Sequence, residues 1–437
     1  MPAIIGPAIT IALMSIGNPF AGALRALSHR DYCYYTVGSV LSLIGTWVQR
    51  VALGWLTWEI TSSYAWLGII AFSDLFAMML FAPFAGDLAD RMDRLRLSIW
   101  AQVSMLGQAI AIAVAYYTGL ANIWVVFVLT LTLGVMHAYH TSARLALVPN
   151  LVPREDLTAA IAVNSVIFNL ARFLGPAVAG LVIVNLGVGP AFIFNAVSFV
   201  IFTFALLRIR NVRIESPNTS GGSMWNNIAE GVRYSVRHAG IGPVLIVLAV
   251  TALTGRALPD LLAGYADGVF QRGAEGLAWL TSAMGLGATL SGFYLLSRDG
   301  IKGMTSVVFA NVALMAGSCI ALVVLGDFWL SVPLLILAGF AMNNSSIATL
   351  NLMQNAVHGQ IRGRVMSIYT VILQGAPALG TLLIGAVAEV TGLPWPVAIS
   401  SAFGLLLWVL MLPRIKPIRA ALEIDAPDDN TTAKAAP

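Results

Sequence analysis

Gly86-Asp87-Leu88-Ala89-Asp90-Arg91-Met92-Asp93-Arg94-Leu95-Arg96 lies between two long apolar runs and reads as a short charged loop joining two membrane spans. The rest of the chain agrees. Of 437 residues, 58% are hydrophobic and only 10% are Asp, Glu, Lys or Arg, where soluble domains carry about 25% charged residues. Mean hydropathy is +0.84, the value of a polytopic membrane protein. A helical span needs roughly 20 apolar residues, so this length suits about a dozen spans with their loops. Helix packed on helix is the expected core, because an open sheet leaves backbone groups unsatisfied in lipid.

Working outward from the loop, twelve spans are expected near 34–58, 64–84, 97–117, 121–140, 160–186, 190–207, 241–265, 276–297, 304–325, 329–350, 365–388 and 394–412. Basic residues alternate with them. Arg25 and Arg30, then Arg91, Arg94 and Arg96, then Arg144 and Arg154 fall on one side, as do Arg208, Arg210, Arg213, Arg233, Arg237, Arg298, Lys302, Arg362, Arg364, Arg414, Lys416, Arg419 and Lys434. The intervening loops hold only Arg272. This positive-inside pattern predicts cytoplasmic termini. A weak repeat links the halves: Gly175, Gly180 and Gly187 answer Gly380, Gly385 and Gly392, and Arg50 answers Arg256. It suggests two six-span units with a binding site between them at the midplane. The expected organisation is an interfacial segment at 1–30, six-helix halves at 31–208 and 241–413, a central loop at 209–240 and a disordered tail from 414. Within the central loop, 216–222 has a linker composition, and 224–238 is amphipathic, suited either to the membrane surface or to a solvated connector.

The charged loop resembles the signature of the major facilitator superfamily of secondary transporters: Gly86, Leu88, Asp90, Arg91 and Arg94 match it, whereas Asp93 stands where the broad superfamily prefers Gly. The resemblance extends along the chain. Gly45-Thr46-Trp47-Val48-Gln49-Arg50, Asn169-Leu170-Ala171-Arg172-Phe173-Leu174-Gly175-Pro176 and Ile361-Arg362-Gly363-Arg364 look like the enterobactin-exporter and macrolide-efflux branch. Its members export siderophores, macrolides and other amphipathic compounds from the bacterial cytoplasm. The resemblance implies an all-α membrane protein with twelve transmembrane helices in two pseudo-symmetric halves. It implies proton-driven export by alternating access, in the bacterial inner membrane. It also implies that Gly86, Asp90, Arg91 and Arg94 gate the cytoplasmic side, and that Gly175, Pro176 and Gly180 form an antiporter-type bend.

Charges within spans are costly and mark function by default. Here they are Arg50, Asp74, Arg172, Arg256 and Asp260. Arg50 and Asp74 sit at similar depth and could pair; Arg256 and Asp260 are one helical turn apart and could pair also. A proton-coupled antiporter needs a carboxylate whose affinity for protons depends on access and neighbours, and Asp74 and Asp260 are the candidates. The competing reading for each is a permanent structural ion pair. Trp47, Trp55, Trp58 and Trp66 cluster around the outer halves of the first two spans, and some of them suit the interface belt; Trp47, with Gln49 beside it, is the candidate lining of an aromatic substrate cavity. His137 and His140 share a helix face, which suits either a proton path or plain interfacial polarity.

Several classes are excluded or disfavoured. Cys33 and Cys319 both fall in spans and give neither a disulfide framework nor a metal site. Lys302, Lys416 and Lys434 are the only lysines and none follows Gly, so there is no ATP-binding loop. No nucleophile–base pair, cofactor fingerprint or nucleic-acid surface is expected, and the chain should work as a monomer on a small molecule with protons as coupling ion. Two rivals stay open: the same fold moving another metabolite, lipid or metal in either direction, and a non-transporting sensor or assembly partner.

Overall fold

The computed structural model describes residues 21–210, 224–296, 298, 300–357 and 361–423. Of the interfacial segment expected at 1–30, residues 1–20 lie outside the described residues, as does the linker at 216–222. Everything described is helix, turn or loop, without a strand. A short α1 (Ala21–Ser28) precedes six long helices: α2 (Arg30–Thr61), α3 (Tyr64–Arg91), α4 (Arg94–Tyr117), α5 (Ile123–Leu147), α6 (Leu157–Leu186) and α7 (Gly189–Leu207). After the amphipathic α8 (Met224–Arg237), the second set begins with α9 (Ile241–Thr254), which continues through a 3-10 turn into α10 (Leu258–Ala263) and a π-helical turn (Gly264–Val269). It is completed by α11 (Gly273–Leu296), α12 (Met304–Leu325), α13 (Phe328–Ala356), α14 (Ile361–Thr391) and α15 (Pro394–Met411), then a short α16 (Ile415–Leu422).

Eleven of these helical segments are long and apolar enough to cross a membrane, among the described residues. The remaining span of the expected twelve is α11. Its 24 residues reach about 36 Å at 1.5 Å each, enough to cross, but Gly, Ser and Thr recur through it and dilute its hydropathy. Those small residues serve contact instead: α11 and α13 lie backbone against backbone, as small-residue membrane interfaces allow.

The breaks follow local chemistry. Ser62, with φ 47, turns the chain between α2 and α3. Asp93 caps α4 by accepting from the Leu95 and Arg96 amides, both at 2.9 Å, and Asn122 caps α5 through Trp124 and Val125, each at 3.1 Å. These satisfy donors that every helix start leaves open. Asp93 therefore ends a much shorter loop than expected: the helix runs on through Arg91, so most of the charged stretch is a helix end. A capping carboxylate needs no Gly at that place, which accounts for the departure from the signature.

His238 performs the same service at α9. Its Nδ1 accepts from the Gly240 and Ile241 amides at 3.1 and 3.2 Å, which requires an unprotonated nitrogen. Burial pushes this imidazole below its ordinary 6.5. The unfolded chain therefore takes up a proton that the folded chain resists, and stability is lost as pH falls below about 6.5. Since the site is half-buried, the loss should be at most about 1 kcal/mol. A His238→Ala variant should unfold earlier at pH 7.5 and show a flatter dependence between pH 6.5 and 5, read by thermal unfolding.

Contacts divide the chain into two units: residues up to 53 with 76–218, and 54–75 with 219–437. The first is centred on Tyr32, Tyr35, Leu147, Phe202 and Leu206. The second is centred on Val244, Leu248, Val308, Leu352 and Val365. The tip of the α2–α3 hairpin thus packs with the second unit. There α8 is tied to α14 by the Glu230–Arg364 ion pair. Residues 415–422, expected to be disordered, form α16 with Ile418 and Leu422 buried. Glu423 after it accepts from the Gly303 and Thr305 amides at 2.6 and 2.8 Å, capping α12.

Candidate functional site

Four residues singled out by sequence come together inside the first unit. Trp47 on α2 lies under two guanidinium groups, that of Arg50 at 5.5 Å and that of Arg172 at 5.6 Å from its ring centroid. Arg50 is one helical turn along α2 from Trp47, whereas Arg172 comes from α6. Gly175, one turn beyond Arg172, is what admits the indole: a Cβ there would collide with the Trp47 Cβ. The cluster continues. Phe168 packs edge-on to Trp47 at 6.4 Å, and Arg144 from α5 sits 5.8 Å from the Phe168 ring. Three guanidiniums and two aromatic rings thus form one patch on α2, α5 and α6. Each cation over a ring is worth about 0.5–2 kcal/mol depending on solvation, which helps hold charge within the spans. Arg144 reads in sequence only as a loop arginine, and Phe168 carries no signal of its own; spacing on separate helices cannot reveal a contact.

Gln49 is placed differently from the cavity lining expected of it. It is 1% exposed. Its Nε2 donates to Gln108 Oε1 at 2.8 Å and its Oε1 accepts from Asn195 Nδ2 at 2.6 Å. Gln108 in turn donates to the Leu129 carbonyl at 3.2 Å. This amide chain joins α2, α4, α5 and α7, and such buried networks fix helix register when fully satisfied. Gln49 points to its neighbours because successive helical residues diverge by about 100°, so Trp47, Gln49 and Arg50 cannot all share one face.

Of the gating residues, Gly86, Asp90 and Arg91 occupy the last turns of α3, and Arg94 opens α4. Arg91 pairs with Asp87 one turn back at 2.8 Å, with both side chains exposed. The Asp90 side chain lies outside the described residues. Gly86 has open space where a Cβ would stand. Gly175, Pro176 and Gly180 lie within α6, with Gly175 and Gly180 buried.

In the second unit Arg256 is buried in the 3-10 turn after α9, where it donates to the Met342 carbonyl at 2.6 Å. Asp260 follows, half-buried, in α10. Asp74, half-buried on α3, belongs to this unit while Arg50 belongs to the first. Sequence reading missed a further set here. Trp58, one of the four tryptophans near the outer ends, is buried, and its Nε1 donates to Asp267 at 2.8 Å. Glu389 on α14 accepts from the Ser63 hydroxyl at 2.9 Å and the Ala65 amide at 3.1 Å. Neither carboxylate carries a sequence signal of its own, because their partners are 209 and over 300 positions away. No cluster of three or more His, Cys, Asp or Glu suited to a metal occurs among the described residues.

Comparison with known proteins places these features in context. The family described as transmembrane secretion effectors matches residues 21–433. The Staphyloferrin A transporter of Staphylococcus aureus is 26% identical over 82% of this chain and 90% of its own. Macrolide efflux protein A of Streptococcus pyogenes is 24% identical over 82% of this chain and 90% of its own. Among solved structures, a bacterial homolog to the human lysosomal transporter Spinster superposes with a TM-score of 0.68 at 13% identity, covering 90% of this chain and 98% of that one. That last likeness concerns the fold alone.

Proposed function

We infer the function from one premise: this chain belongs to the transmembrane secretion effector family, within the major facilitator superfamily of membrane transporters. Its relatives in that family include efflux proteins. We propose that the chain is a proton-coupled exporter of small amphipathic molecules, working by alternating access in a bacterial inner membrane, with both termini in the cytoplasm. The observation that carries the cargo reading is the patch of Arg50 and Arg172 over Trp47, with Phe168 and Arg144 beside it. Guanidiniums present forked donors to carboxylate or other oxyanion groups, and the rings present flat apolar faces. A cargo with acidic oxygens and a planar or apolar body matches both, which favours a siderophore-like acid over a cationic drug.

Proton coupling is assigned to Asp74, the half-buried carboxylate of α3, with Asp260 as the second candidate. In this reading Asp90, Arg91 and Arg94 gate the cytoplasmic side. Exposed pairs such as Arg91–Asp87 are worth only about 0–1 kcal/mol, so a gate built on them can be made and broken in each cycle.

The test uses inside-out vesicles with a pre-formed acid interior, reported by a quenched dye. Acidic siderophores, macrolides and cationic dyes are added in turn. An acidic siderophore should trigger proton release, and Asp74→Asn should cut that release at least tenfold at equal protein level. Arg172→Gln should weaken the response to acids while sparing any response to neutral macrolides. Release triggered equally by cationic dyes, or unchanged in both variants, would overturn the cargo and coupling assignments.

A further inference from the structure

At one end of the first unit a cavity of about 260 Å³ opens between the start of α2, the turns after α5 and the end of α7. Arg30, Arg208 and Arg210 line it, against a single carboxylate, Asp31. The neighbouring bases are committed elsewhere: Arg25 and His29 both hold Asp156, at 2.6 and 2.8 Å. Arg30 spends its Nε on the Tyr34 hydroxyl at 3.2 Å, and that contact steadies its fork at the cavity. Asn150, also lining it, is 2% exposed, and its Oδ1 has no hydrogen-bond partner. A buried acceptor without a donor is costly and uncommon. The wall is completed by Leu151, Val152 and Pro153.

We propose that this cavity binds the headgroup of an anionic glycerophospholipid, its phosphate against the three arginines and a headgroup hydroxyl donating to Asn150. Arginine forks match phosphate oxygens, and three of them against one carboxylate leave an excess of positive charge suited to a phosphodiester. The orphan Asn150 oxygen selects a donor, which a glycerol headgroup has and a choline headgroup lacks. The apolar wall and the position at helix ends, where a span meets the interface, favour a lipid over a free ion, since the glycerol and first acyl carbons then lie against Leu151 to Pro153. The site is independent of the cargo reading.

The full-length protein, purified in detergent, is titrated with phosphatidylglycerol, phosphatidylcholine or inorganic phosphate, and binding is read by native mass spectrometry and by the shift in unfolding temperature. Phosphatidylglycerol should bind at least tenfold more tightly than phosphatidylcholine. R208Q/R210Q should remove most of that preference. R233Q/R237Q, which makes the same charge change on the exposed face of α8, should leave it intact. Asn150→Leu should narrow the preference; because that position is buried, the exposed arginine pair carries the test if this variant does not fold. Equal loss in both arginine pairs would reduce the effect to general charge, and an equal response to inorganic phosphate would make this a free-anion site. Either result overturns the proposal.

Discussion

Replacing Gly287 with alanine is expected to abolish recovery of folded protein, cutting the monodisperse yield to roughly a tenth or less. A Cβ at Gly287 would collide with the Ile336 carbonyl oxygen and stand 2.7 Å from the Phe340 amide nitrogen. The contact is reciprocal: a Cβ at Gly339 would collide with the Met284 carbonyl oxygen and lie 2.9 Å from its Cα. Both obstacles are helix backbone, which cannot swing aside as a side chain can. Relief requires α11 and α13 to separate along their whole seam. Overpacking of a core costs about 1–3 kcal/mol where side chains can adjust, and here they cannot. Within membranes, close approach of small residues is itself a main source of helix association. Gly292 supplies the control, since it lies on the same helix with nothing within 4 Å of an added Cβ. Gly292→Ala should purify as the wild type does. Size-exclusion yield and unfolding temperature decide the matter, and wild-type behaviour of Gly287→Ala would show that the two helices stand farther apart.

Much of the fold was legible because lipid imposes a coarse and local code. Span length and apolar composition both report on a single stretch of chain. The span hardest to see was α11, whose glycines, serines and threonines trade hydropathy for contact. The stretch 415–423 departs from the disorder expected of it for a related reason. Its polar composition hid Ile418 and Leu422, two apolar residues one helical turn apart, and Glu423, which caps a helix over a hundred residues away.

The candidate site was half legible. Trp47, Arg50 and Arg172 stood out because charge and indole are rare within spans, and the structure assembles them. What sequence could not supply was direction. Gln49 and Arg50 are adjacent in the chain, yet one closes a buried amide network and the other joins the cation–aromatic patch. Side-chain azimuth decides this, and it depends on which neighbouring helices offer Gln108, Asn195 or Phe168.

The same reasoning governs the hairpin tip in the second unit, where the double variant Asp267→Asn with Glu389→Gln is expected to loosen residues 58–67. Three hydrogen bonds hold that segment: Trp58 to Asp267, and Ser63 and Ala65 to Glu389. Glu389 acts as an external cap on α3, placing negative charge where the helix start is partially positive. Both substitutions preserve shape and an accepting oxygen, so they remove charge alone. A hydrogen bond to a charged group is worth about 1.5–3 kcal/mol against about 1 for a neutral one. Glu389 is exposed, so we count about 1 kcal/mol lost at each site, or about 2 kcal/mol together, a factor of roughly thirty in the population released. Residues 54–75 are covalently continuous with helices of the first unit while they pack in the second. All three bonds lie within the second unit, so their strength sets how often this segment lets go of the helices around it. Hydrogen exchange at the Ala65 and Trp66 amides should accelerate at least tenfold in the double variant. The Trp124 and Val125 amides, capped by Asn122 at the start of α5, should exchange as before. Unchanged protection at Ala65 would mean that the 5.0 Å packing of Trp58 on Tyr64 holds the hairpin and the carboxylates do not.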